Sequence, residues 1–113
     1  MLCPYAFTKT MPLITSAKIG LTIRLTEERW QHITAGHPEL LNLQSEVMQT
    51  IENPDKILEG NNGELLAVKL LGDNKYLVTI YKEAEEDGFV ITAYLTKRIN
   101  SLNKRKEVWS LSP

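Results

Sequence analysis

The stretch GELLAVKLLGDNKYLVTIYKEAEEDGFVITAYLTKR, from Gly63 to Arg98, decides the fold. Within it, Glu64 to Leu71, Lys75 to Lys82 and Gly88 to Arg98 alternate at the two-residue period of a strand. Residues that tolerate positive φ punctuate them. Asn61-Asn62-Gly63 precedes the first run, Gly72-Asp73-Asn74 joins the first pair, and Glu85-Glu86-Asp87-Gly88 joins the second. Connections this short force antiparallel hairpins. Ile57-Leu58-Glu59 adds a short strand ahead of them, so the prediction is an antiparallel four-stranded β-meander. In the last run Phe89, Ile91, Ala93 and Leu95 share one face, and Val90, Thr92, Tyr94, Thr96 and Arg98 share the other. One side is greasy and the other becomes polar. A hydroxyl row ending in a guanidinium suits a half-solvated sheet, but would also suit a groove that binds phosphate.

Working backwards, the set Leu40, Leu43, Val47, Met48 and Ile51 falls on one face at helical spacing, and Asn53-Pro54 ends that helix because a residue before proline avoids the helical region. Ahead of it lies the stretch LTEERWQHITAGHPEL, residues 25 to 40, which holds both histidines and opens as a first helix. Thr26 before Glu27 and Glu28 reads as its start, the hydroxyl accepting a free N–H while the carboxylates meet the positive end of the dipole. Trp30 and Ile33 form its apolar stripe, with Arg29 and His32 together on one flank. Gly36 is a natural left-handed stop, and Pro38 pushes His37 into a corner between two helices. Leu21 to Leu25 alternates as a short strand leading into this helix. The class is therefore α+β, N-terminal helices packed on the meander.

Residues 1–19 show no period and read as an irregular leader, with Met11 as an alternative start; residues 20–99 make a single domain; residues 100–113, with Lys104-Arg105-Lys106 and Trp109, read as a basic C-terminal tail. A chain of 113 residues buries roughly 65% of its unfolded surface and folds without staples. Charged residues at 24% and hydrophobic ones at 42% indicate neither disorder nor a membrane span. Cys3 is the one cysteine and no secretory signal is evident, so a reducing cytoplasm is the default location. A formal net charge of −1 argues against gripping nucleic acid by bulk electrostatics; any such contact must come from a local patch.

Two histidines five apart, without a cysteine pair, miss the common zinc spacings, and no Gly-rich phosphate loop is present, so no metal or cofactor is expected. Acid–base chemistry remains. Metal-free RNA cleavage needs a base for the 2′-hydroxyl proton, an acid for the leaving oxygen, and cations or hydrogen-bond donors for the phosphate. His32, His37, Arg29, Thr92, Tyr94, Lys97 and Arg98 include all of those types. Ordinary structural roles compete: His32 as a helix-flank surface residue, His37 as a cap, Thr92 and Tyr94 as good strand formers. Spacing alone favours those roles. The cluster at residues 104–106 is more often a solvated terminus than a single-strand grip, even beside Trp109.

Together LTEERWQHITAGHPEL, IENPDKILEG, GELLAVKLL, KYLVTIYKE and GFVITAYLTKR resemble the phage-associated branch of the barnase–EndoU–colicin–RelE-like nuclease superfamily across residues 22 to 98. RWQHI, HPE and ITAY carry most of the likeness. The resemblance implies helices followed by a four-stranded antiparallel sheet, and a metal-independent ribonuclease, often the toxin of a toxin–antitoxin or phage-conflict pair with a small antitoxin as partner. It also implies that His32, His37, Thr92 and Tyr94 occupy the motif positions, with Arg29 and Arg98 as phosphate contacts. On this reading RNA is cut to a 2′,3′-cyclic phosphate, and His32 is the more essential histidine because Arg29 shares its flank. Two alternatives stand beside it: a non-catalytic RNA- or protein-binding module of the same fold, and an interaction protein that pairs through an exposed sheet edge.

Overall fold

In chain order the computed structural model, which describes residues 13–17, 21–84 and 87–110, runs β1 (Leu13–Ser16), β2 (Thr22–Leu25), α1 (Glu27–Gly36), a single 3-10 turn (Pro38–Leu40), α2 (Gln44–Glu52), β3 (Lys56–Glu59), β4 (Leu65–Gly72), β5 (Lys75–Glu83), β6 (Asp87–Thr96), α3 (Ile99–Leu102) and β7 (Glu107–Ser110). The α+β class is as expected. Strands β3 to β6 pair antiparallel in succession, and the β4–β5 hairpin turns on Asp73 and Asn74, both with positive φ (52° and 60°). Two consecutive left-handed residues twist the chain in the same sense as the strands they join, which is why this turn holds a tight hairpin. Glu85 and Glu86, expected in the next turn, lie outside the described residues.

The sheet is not a four-stranded antiparallel meander. Among the described residues seven strands form one mixed sheet in the order β1-β2-β6-β5-β4-β3-β7, with β2 parallel to β6. Both added edges come from segments expected to lie outside the sheet, one an irregular leader and the other a basic tail. Leu13 to Ser16 of the supposed leader pairs antiparallel with β2, while residues 1–12 and 18–20 lie outside the described residues. The supposed tail folds as α3 and β7, whose Trp109 stands opposite Ile57 of β3, so Trp109 is a sheet residue and not part of a free basic arm. Gly88 lets the parallel pair close: a Cβ there would lie 2.5 Å from the Lys82 carbonyl oxygen and 2.7 Å from Ile23 Cδ1.

Helices α1 and α2 lie on one face of the sheet, over Ile23 and Leu25 of β2, Val90 and Ala93 of β6, Leu77 and Tyr81 of β5 and Ala67 of β4. Val47, Met48 and Ile51 are fully buried there, confirming the helical stripe, although the 3-10 turn interrupts it and α2 proper begins only at Gln44. Thr79 of β5 donates its hydroxyl to the Val47 carbonyl at 3.1 Å, tying strand to helix inside the core. The opposite face is not simply half-solvated. Leu58, Leu66, Val68 and Val78 make a second apolar cluster that Leu102 of α3 covers, with Tyr94 packed against it.

Alternation in β6 also departs from a strict two-residue period. Ile80 pairs with Thr92 and Tyr81 with Val90, so Ile91 is an extra residue in a β-bulge. One inserted residue inverts the phase upstream of it. Val90 is accordingly buried in the main core, and Phe89, assigned to the greasy face, is 45% exposed. No helix among the described residues is long and apolar enough to cross a membrane.

Candidate active site

The α1 start is capped as its sequence requires: the Thr26 hydroxyl accepts the Arg29 N–H at 3.1 Å, and Glu27 and Glu28 fill the first turn. Trp30 and Ile33 bury against the sheet, which turns the flank carrying Arg29 and His32 outward. At the other end Gly36 is not a left-handed stop; it stays within the helix, and the chain leaves at His37 (φ −133°, ψ 71°). Pro38 explains the difference, because it bars His37 from the helical region and needs no special residue before it. The His37 N–H still closes α1 on the Ile33 carbonyl at 2.8 Å, while its own carbonyl accepts the Leu40 N–H at 3.0 Å. His37 thus sits between the negative end of α1 and the positive end of the 3-10 turn.

Strand β2 leaves β6 after the pair Arg24–Phe89, so further along β6 that edge has no strand neighbour among the described residues, and α1 lies over it instead. There the corner meets the bulge. Arg29, His32 and His37 line a pocket of about 270 Å³ whose far wall is Ile91 and Thr92. Arg29 and His32 also line a wider, open depression of about 730 Å³ along α1, where Glu28 adds a negative charge.

Two side chains stand near His37. Its Nδ1 lies 3.4 Å from Glu39 Oε2, and its ring centroid stands 6.3 Å from that of Tyr94, tilted by 34°. His32 is exposed, and neither it nor the Arg29 guanidinium or the Thr92 hydroxyl has a hydrogen-bond or ion-pair partner among the described residues. Burial pushes the Tyr94 phenol above its ordinary value, against a smaller opposing pull from the Arg105 guanidinium. Tyr94 faces a neighbouring hollow with Arg105, Asn61 and Asn62, and reaches the histidine pocket only through its ring contact with His37.

Four expected residues, Arg29, His32, His37 and Thr92, therefore share one pocket, and Tyr94 borders it. Lys97 and Arg98 do not join them: both are exposed past the end of β6, where Arg98 precedes α3 and its N–H bonds the Thr96 hydroxyl at 3.0 Å. Glu39 was missed, although its place two residues after His37 and just beyond a proline was a signal that it faces back toward the corner. No three His, Cys, Asp or Glu side chains cluster as metal ligands among the described residues. Comparisons with protein-family models, curated proteins and solved structures find no match to this chain.

Proposed function

We propose that the chain is a metal-independent endoribonuclease that cleaves RNA by transesterification to a 2′,3′-cyclic phosphate, acting in the cytoplasm as the toxin of a toxin–antitoxin or phage-conflict pair. The observation that carries this reading is the pocket shared by two imidazoles, a free guanidinium and a threonine hydroxyl at the junction of α1 and β6. His37, its Nδ1 engaged by Glu39, suits the base that takes the 2′-hydroxyl proton. His32, open to solvent on a capped helix, suits the acid that protonates the leaving 5′-oxygen. Arg29, free of other partners, and Thr92 then meet the phosphate as its charge builds. The resemblance of RWQHI, HPE and ITAY to nuclease motifs points the same way, and a small antitoxin is the partner it implies.

Purified protein should cut a single-stranded oligoribonucleotide in the presence of a chelator and leave cyclic phosphate ends. Replacing both histidines by alanine should lower the rate by roughly 10²- to 10⁴-fold, the usual contribution of positioned acid–base groups. If the double variant cleaves as fast as the parent, the mechanism is wrong. The formal charge of −1 and the Glu28 carboxylate beside Arg29 favour a second reading, a non-catalytic binding module of RNA or protein. That reading expects binding to survive loss of both histidines with no new RNA ends formed.

A further inference from the structure

The bulge at Ile91 does more than shape the histidine pocket. By inverting the phase of β6 it brings Phe89, an apolar ring with no polar atom to satisfy, to 45% exposure at the last β2–β6 pair. Arg24 is its register neighbour on β2, and Arg29 approaches from α1; together they line a hollow of about 330 Å³ with Thr26 and Val90. Arg29 belongs to this hollow and to the histidine pocket alike, so the two adjoin at its side chain. The two guanidiniums differ. Arg24 is held by Asp87 at 2.9 Å, which orients it and offsets part of its charge, whereas Arg29 has no side-chain partner among the described residues.

We propose that Phe89, framed by Arg24 and Arg29, is a stacking platform for the nucleobase next to the phosphate held at the histidine pocket, and that it selects single-stranded RNA. The proposal rests on the ribonuclease reading and extends it to the form of the substrate. A phosphate at Arg29 within the pocket leaves the adjacent base over the neighbouring hollow, where the exposed ring offers it a π-face. Stacking of this kind tolerates any base, and an unpartnered arginine beside the ring supplies the backbone contact. Paired RNA cannot use the platform, because its bases are already stacked within the duplex.

The test measures binding of a labelled oligoribonucleotide, single-stranded or in a duplex, to the full chain silenced by His32→Ala and His37→Ala. Phe89→Ala in that background should weaken the single-strand complex by roughly five- to hundredfold. The salt dependence of binding should stay as it was, whereas Arg29→Gln should lower its log–log slope by about 1. Phe89→Trp should keep the affinity, and its fluorescence should be quenched as RNA is added. Equal affinity of Phe89→Ala and its parent, or equal affinity for duplex and single strand, overturns the platform. If the unsilenced chain nonetheless cleaves RNA, the nuclease reading survives that result. Conversely, Phe89-dependent binding of single strands by a chain whose histidines cleave nothing keeps the platform and removes the nuclease. Loss of a protein partner in Phe89→Ala with RNA binding untouched assigns the ring to a protein interface and overturns the proposal.

Discussion

Helices α1 and α2 are nearly equal in length and share one face of the sheet, yet they are held differently. Over nine residues α2 buries Val47, Met48, Thr50 and Ile51, whereas α1, with ten, buries only Trp30 and Ile33. Thr79 adds a buried hydrogen bond from β5 to α2, whereas no side-chain bond from α1 to the sheet is found among the described residues. One helix is foundation and the other is presentation. A helix that commits two side chains to the core leaves its flank for Arg29 and His32, and relies on its cap and its corner to stay in place.

The sharpest way to break this contrast is truncation in each helix. Ile51→Ala should cost about 2–5 kcal/mol of unfolding free energy, as a fully buried chain leaves a cavity behind it, whereas Gln31→Ala on the α1 flank should stay within about 0.5 kcal/mol. Urea titration of both reads the difference, and equal losses would dissolve the distinction. Next in size, Gly88→Ala should cost about 1–3 kcal/mol, because its Cβ meets the β5 backbone at Lys82 and the Ile23 side chain of β2, the strand that leads into α1. On the ribonuclease proposal, cleavage should fall with it, unlike in an α2 variant of matched stability.

Thr26→Ala should cost about 1 kcal/mol, with faster amide exchange confined to the first turn of α1. Protection lost equally in α2 would show that the two helices open together. The smallest effect belongs to Tyr81, whose buried hydroxyl has no hydrogen-bond partner among the described residues. Tyr81→Phe should leave stability at neutral pH unchanged or raise it by up to about 1 kcal/mol. Burial, and then the nearby Glu83 carboxylate, raise the Tyr81 phenol above its ordinary value of 10.0. A group whose folded pKa is raised contributes fully below its unfolded pKa and loses that contribution as pH rises above it. Parent stability should therefore decline above pH 10.0, and Tyr81→Phe should remove that part of the decline. Denaturant midpoints at neutral and alkaline pH compare the two.

Local chemistry was legible in the sequence. Thr26 announced its cap, Gly72-Asp73-Asn74 its hairpin, Asn53-Pro54 its helix end, and Arg29 and His32 their common flank. Partners distant in the chain were not. Nothing in Thr22 to Leu25 says that it will lie parallel to Asp87 to Phe89, and the short runs at Leu13 and Glu107 show their strand character only against the neighbours that complete them. The bulge is hidden in the sequence for a related reason: whether Ile91 is extra depends on where Tyr81 pairs, a property of two strands together. Within the site, the histidines could be proposed from residue type, but the exclusion of Lys97 and Arg98 and the exposure of Phe89 follow from where β6 bends and ends.

The parallel pairing of β2 with β6 carries one last implication, for the order of synthesis. Thr22 waits for Asp87, so while the chain is still emerging from a ribosome the segment bearing both imidazoles has no wall opposite it. Contacts that close so long a loop form late. On the ribonuclease proposal, a nascent chain halted before β6 would carry both histidines and still lack Thr92 and the surface it stands on, leaving it harmless to the RNA being read.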